Sequence, residues 1–378
     1  MLEQELITIR RHIHQNPEIG INCYNTAEYI YNYLYDIGYR NLKYVVNKSG
    51  VICFLDNQKE ESILLRSDID ALEIVEQFEC DYKSKNNYMH ACGHDAHTAM
   101  LLIAAKMIFN IKKQLNYNIV FVFQPAEEGP LPGGALRLID EINYPNIVAC
   151  FAFHVTNLLN TGEIGIKNEE AFSAPDLFEG EIIGKGCHAS TPQFGINPLI
   201  PMGEVLLKFQ DENNNYPNDR VVISITHVEG GRAKNIIPDK IKFEGTARSF
   251  KNETRDSLNR NLTKIVEDSA KKCGAIGHFN FLYAYDPLYN DPNLFKFIKN
   301  IASNINLNFV ELKEANMVGE DFSYYRRIAP ICMTWLGVYN SNNVREDLHS
   351  PTFTLDEKAL INGSLLYVEI VKNFKKGK

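Results

Sequence analysis

What the chain lacks narrows it first. There is no excess of basic charge: 39 Lys and Arg stand against 47 Asp and Glu, a net charge of −8. The electrostatic footprint of a nucleic-acid or anionic-membrane partner is therefore missing. No run approaches the ~18 uninterrupted apolar residues of a membrane span, so the 45% hydrophobic content belongs in packed cores. Eight cysteines, at 23, 53, 80, 92, 150, 187, 273 and 332, form no C-x-x-C pair and no disulfide framework, and most read as reduced core residues. The opening Met1-Leu2-Glu3-Gln4-Glu5 carries two acids where a secretory signal has a basic start, so a cytoplasmic location is expected.

The 378 residues suffice for two or three domains at roughly 100–200 residues each. Helical patterning runs from Glu3 to Ile37, broken at Asn16–Gly20 and stopped by Gly38. Short apolar runs at 50–55 and 62–67 read as strands buried on both faces. A helix over 97–111, a strand over 118–123, a helix over 134–140 and a strand over 147–153 follow. That alternation predicts an α/β class with a mainly parallel sheet flanked by helices. Near Ala174-Pro175 the texture changes to alternating strands, a helix over 198–209, two more strands, a charged helix over 253–273 and a closing strand over 277–285. After Asp286-Pro287 the first pattern resumes. The expectation is a first domain in two parts, 1–174 and 287–378, with a smaller α+β domain inserted at 175–286.

Polar clusters fall at or just past the ends of the predicted strands, where open parallel sheets place their ligands. In Met89-His90-Ala91-Cys92-Gly93-His94-Asp95-Ala96-His97 a thiolate, imidazoles and a carboxylate lie within a few residues, a donor set suited to Zn²⁺. Taken singly, His90 and His97 read equally well as surface residues and Asp95 as an N-cap. Cys92 and His94 together do not read that way. The apolar strand ending in Phe123-Gln124 delivers Glu127 and Glu128 into a Pro/Gly-rich loop. Neighbouring side chains diverge along an extended segment, so one carboxylate can hold a metal while the other faces substrate. His154 follows the apolar run Ala149–Phe153, and His349 lies in Leu348-His349-Ser350-Pro351. A lone His after a strand is more often a structural hydrogen-bonding group, so these two gain weight only beside the first two clusters. Asp68 and Asp70 share one side of their strand if it continues that far, as candidates for orienting a ligand imidazole.

Read in order, H-A-C-G-H-D-A-H-T, F-Q-P-A-E-E-G, A-F-H-V, G-K-G-C-H-A-S-T-P, N-I-I-P-D and L-H-S-P-x-F resemble the amidohydrolase branch of the dinuclear zinc metallopeptidases. That branch includes aminoacylases, hippurate hydrolase, auxin-conjugate hydrolases and N-acetyldiaminopimelate deacetylase. The resemblance runs over nearly the whole chain. It implies a zinc-peptidase-like sheet with a ferredoxin-like lid or dimerisation domain, and a deacylase that cuts N-acyl amino acids to a carboxylate and a free amino acid. It further implies metal ligands at Cys92, His94, Glu128, His154 and His349, a general base at Glu127 and an orienting carboxylate at Asp70. Two divalent ions follow, zinc first, with manganese, cobalt or nickel as alternatives. His188, Asn235 and Arg248 match motif positions in the inserted domain and are candidates for the oxyanion and for a substrate carboxylate. A homodimer paired through that domain is expected, with a small-molecule substrate as the other partner. Three departures, Glu73, Cys187 and the inserted Pro130-Leu131-Pro132, lie close enough to the cleft to affect substrate choice. Readings in which the metal is structural, in which the chain is a dipeptidase or carboxypeptidase, or in which Cys92 is a metal-free nucleophile stand beside the leading one.

Overall fold

A computed structural model describes residues 2–144, 146–341 and 345–375. The expected domain ends at Met1 and at 378 lie outside the described residues. The chain divides into two compact units. One runs to Glu169 and includes Tyr289–Glu314 and the residues from Asp321 onward. The other comprises Glu170–Leu288 and Ala315–Glu320. The return of that last short segment to the second unit has no counterpart in the sequence pattern.

The first unit is built on an eight-stranded sheet. Its order is Leu42–Val45, Gly50–Leu55, Asn118–Gln124, Ser62–Asp68, Ile147–Asn160, Ile331–Tyr339, Glu163–Ile166 and Asn308–Glu311. The four central strands, from Asn118–Gln124 to Ile331–Tyr339, pair in parallel. Every residue of Ser62–Asp68 and Asn118–Gln124 is buried, which is why both read as near-continuous apolar runs. The helix His94–Ile111 is apolar almost all round and accordingly lies in the interior, against the C-terminal helix Leu360–Asn373. Among the described residues, no helix is long and apolar enough to cross a membrane.

The structure differs from the sequence reading in three ways that bear on the site. The helix begins at His94 rather than 97, with Gly93 as its N-cap at φ 82°, so Asp95 lies inside the first turn and is not the cap. His90 and His97 are both 1% exposed and therefore not surface residues. The strand expected over 147–153 continues to Asn160, whereas its neighbour Ser62–Asp68 is paired with it only as far as Arg66 opposite Ala152. The overrun carries polar His154, Thr156 and Asn157, which hid its strand character.

The second unit follows strand, helix, strand, strand, helix, strand: Ala174–Ile183, Leu199–Glu212, Val222–Glu229, Lys240–Ser249, Asn252–Lys272 and Ile276–Leu282. The pairings of its four-stranded sheet are antiparallel, with the first strand between the third and the fourth, which is the ferredoxin-like arrangement. Phe178, Ile182, Phe243, Phe209, Leu258 and Leu262 form its core between sheet and helices.

Candidate metal centre and active site

Cys92 and His94 flank the helix start at Gly93. A Cβ there would lie 2.3 Å from Val155 Cγ2, and the positive φ also favours glycine, so the turn that delivers both donors depends on that residue. The Glu127-Glu128 loop leaves its strand through Ala126 at φ 61°, and Gly134 then lets the following helix approach to 1.7 Å between an added Cβ and Pro125 O. His349, at φ 66°, is tied to the same place by donating its backbone N–H to Ala91 O at 2.9 Å. A residue 257 positions away in sequence is thus held beside Cys92.

The donor atoms converge. Cys92 Sγ lies 3.4 Å from His154 Nε2 and 3.3 Å from His349 Nε2. Glu128 Oε1 is 3.0 Å from His349 Nε2 and 4.0 Å from His94 Nε2. Among the triads of metal-ligand type that result are Cys92-His94-His154 and Cys92-Glu128-His349, each with donor atoms within 4.8 Å of one another. They share Cys92. Glu127 Oε2 also lies 4.0 Å from His94 Nε2, so the adjacent glutamates converge on one imidazole instead of diverging. The reason is local: Ala126 is in the left-handed region and Glu127-Glu128 form a bend, so the alternation of an extended segment does not apply.

Asp70 is fully buried, and its two oxygens accept the backbone N–H groups of Glu127 at 3.0 Å and Glu128 at 3.1 Å. Its Oδ1 also faces His94 Nδ1 at 3.5 Å. The strand ends at Asp68, so the period-two reason for pairing Asp68 with Asp70 fails. Both carboxylates nevertheless meet imidazoles, Asp68 binding His97 at 2.6 Å.

The electrostatics call for a cation. Both ring nitrogens of His94 are buried without a hydrogen bond, in a pocket that gathers Asp68, Asp70, Glu127 and Glu128. Burial alone would lower the His94 pKa, but Asp68, Asp70 and Glu128 outweigh it and push it up to about 10. Burial raises the Cys92 thiol well above its ordinary value, and Glu128, Glu127 and Asp68 raise it further. The residues therefore fit divalent cations, which would neutralise the acids and stabilise the thiolate. They do not suit a metal-free thiol nucleophile. His154 is buried and its pKa is held well below the ordinary value, chiefly by burial. It is the neutral imidazole a cation requires.

Pairing of Cys187–His188 with Ile236–Ile237 sets His188 beside Asn235. His188 is exposed, with Nδ1 held by Ser190 Oγ at 2.7 Å. Arg248 is partly buried on the strand Lys240–Ser249, and burial lowers its pKa.

Two buried networks escaped the sequence reading. Arg66 binds Gln124 Oε1 at 3.2 Å, Asp68 Oδ2 at 2.8 Å and Asp321 Oδ1 at 2.8 Å. Asp95 binds Arg10 and His14 at 2.8 and 2.7 Å, and His14 reaches Glu76 at 3.1 Å. A lone Arg inside Ile63-Leu64-Leu65-Arg66 was the available signal, because a buried guanidinium requires a buried anion. Nothing in the sequence pointed to Asp321.

Residues 64–373 match the family model described as Peptidase family M20/M25/M40. The chain is 33% identical to IAA-amino acid hydrolase ILR1-like 4 of Arabidopsis thaliana, over 98% of this chain and 85% of that protein. It is 32% identical to N-acetyl-L-cysteine deacetylase of Bacillus subtilis, over 98% and 88%. Among solved structures, the Bacillus subtilis YXEP protein, described as a dinuclear metal binding peptidase from the M20 family, matches with a TM-score of 0.86 and 30% identity. That match covers 98% of this chain and 97% of the other. The chain belongs to peptidase family M20/M25/M40 and is a hydrolase of that family.

Proposed function

We propose that the chain is a metal-dependent amidohydrolase that removes a small acyl group, acetyl first among them, from an N-acyl amino acid. N-acetyl-diaminopimelate and hippurate-like compounds are the leading substrate types. The reading is carried by two triads sharing Cys92, with Glu127 4.0 Å from His94 beside them. It is supported by relatives named for the hydrolysis of IAA-amino acids and N-acetyl-L-cysteine.

Cys92, His94, Glu128, His154 and His349 would hold two divalent ions, zinc first among them by the thiolate-imidazole donor set. When bound, such ions supply an acidified water and polarisation of the amide carbonyl. The rest is done by the chain. Glu127, 8% exposed, takes the proton from the attacking water and returns it to the leaving amine as the C–N bond breaks. Asp70 holds the backbone of both glutamates, and so fixes where the proton is taken up. From the second unit, His188 or Asn235 would donate to the oxyanion and Arg248 would grip the substrate carboxylate as a two-pronged donor. Pairing of two copies would run through that unit.

The test is a panel of N-acetyl, N-succinyl and N-benzoyl amino acids on metal-loaded protein, with and without chelator. Turnover lost on metal removal and regained with zinc or manganese is expected. Activity surviving complete metal removal, or no turnover of any member, would sink the proposal.

A further inference from the structure

The parallel strand Ile147–Asn160 outruns its neighbour Ser62–Asp68, whose last recorded pair is Arg66 opposite Ala152. A ladder that stops leaves buried N–H and C=O groups that must find other partners. At Val155 they find imidazoles. The Val155 N–H donates to His97 Nε2 at 2.9 Å, and the Val155 carbonyl accepts from His154 Nδ1 at 2.8 Å. On the far side of its ring, His97 Nδ1 meets Asp68 Oδ1 at 2.6 Å. Asp68 is held in turn by Arg66 at 2.8 Å. His97, Asp68, Arg66 and Val155 are each no more than 1% exposed, so water does not replace any of these bonds.

The hydrogen-bond roles leave one assignment. A backbone N–H only donates, so His97 Nε2 must carry the lone pair and Nδ1 the proton that Asp68 accepts. A backbone carbonyl only accepts, so His154 carries its proton on Nδ1, and its Nε2 lone pair points at Cys92 Sγ, 3.4 Å away. His97 and Asp68 form another group with His94 of the spacing a metal needs. Both ring nitrogens of His97 are already engaged, which removes it from the ligand set.

We infer that His97, braced by Asp68, is a positioning residue that clamps the backbone at Val155 and thereby presents His154 to the metal site in the Nδ1–H form. The inference rests on the reading of His154 as a ligand and adds how a residue outside the ligand set controls it. The work is geometric: the Val155 N–H and C=O flank one Cα on a buried strand, so holding the first fixes the position of the second, which in turn fixes the His154 ring.

The test compares His97→Leu with His97→Gln. The glutamine amide presents a donor and an acceptor at about the spacing of the two ring nitrogens, and so can bond to Asp68 and Val155 together. Co²⁺ titration, followed by the visible spectrum of the bound ion and by metal content, is read on wild type and both variants. Removing a group that orients a ligand typically weakens metal binding by roughly 10–100-fold. That weakening of one of two sites is expected in His97→Leu, with recovery in His97→Gln. In parallel, ¹⁵N NMR of histidine-labelled wild-type apoprotein reads the tautomers directly and needs no variant to fold. Both His97 and His154 are expected as Nδ1–H. Wild-type affinities and spectra in His97→Leu, or an Nε2–H tautomer at either histidine, would overturn the inference. A wild-type protein that binds no Co²⁺ would instead overturn the proposed function, so the two failures are distinguishable.

Discussion

Replacing Asp70 by asparagine exchanges one heavy atom, a carboxylate oxygen for an amide nitrogen, and tests how the glutamate loop is held. In the native protein each carboxylate oxygen accepts one backbone N–H, that of Glu127 at 3.0 Å and that of Glu128 at 3.1 Å, at a site with no exposure. In Asp70→Asn one acceptor becomes an NH₂ group that faces an N–H, so one bond is lost and its donor stays buried. A hydrogen bond to a charged group contributes about 1.5–3 kcal/mol. At about 1.4 kcal/mol per decade, the loss corresponds to roughly 10–100-fold if it falls on the transition state, where the Glu127 carboxylate must sit accurately. The assay is kcat/KM on the best N-acyl amino acid, with metal content and thermal midpoint measured on the same preparation. A fall within that range, with metal retained and a lower midpoint, is expected. Asp70→Ala frees both donors and should cost about twice as much free energy. A variant Asp70→Asn within about threefold of wild type in kcat/KM, with an unchanged midpoint, would refute the claim that this carboxylate positions the loop.

Other expectations are independent of that one. Glu127→Gln should lower kcat by roughly 10²–10⁴-fold, the usual contribution of a positioned general base, while leaving metal content at the wild-type value. Equal loss of metal and activity would show that Glu127 is a ligand. Without a cation the His94 pKa is pushed up to about 10, so at neutral pH metal binding must expel a proton and affinity should rise with pH. Proton release on Zn²⁺ addition in weak buffer measures this, and its absence would contradict the protonated state. Asp95 is held well below the ordinary carboxylate range: burial opposes its charge, but Arg10 and His14 outweigh burial. Its stabilising contribution is therefore present above the unfolded pKa near 4 and is lost as pH falls below it. Asp95→Ala takes from Arg10, 2% exposed, its 2.8 Å partner and leaves only the longer 3.4 Å pair with Glu357, so the cost at neutral pH should be at most about 3–5 kcal/mol. Denaturant midpoints should separate wild type from the variant at pH 7 and bring them together in acid.

What could be read from the sequence was local. Donor types cluster within a few positions in His90–Thr98 and Gln124–Gly129, and strand, helix and turn signals surround them, so the kind of site and its α/β setting follow from short-range chemistry. The long-range pairings were not legible in local pattern, and only the family resemblance grouped His349 with Cys92. No periodicity relates Arg66 to Asp321, 255 positions apart, or sets His349 against Cys92. Polar residues at 154, 156 and 157 disguised the extension of the strand past its neighbour.

The sequence by itself determined which atoms are available to bind a cation, because a thiol, an imidazole or a carboxylate keeps its donor chemistry in any fold. The tertiary structure decided how they are used. Two triads meet at Cys92, the neighbouring glutamates turn to one imidazole, and His97 is committed to a peptide instead of a metal. Those outcomes depend on where one strand stops beside another and on which buried groups must then be satisfied, and both are fixed only when the sheet closes around them.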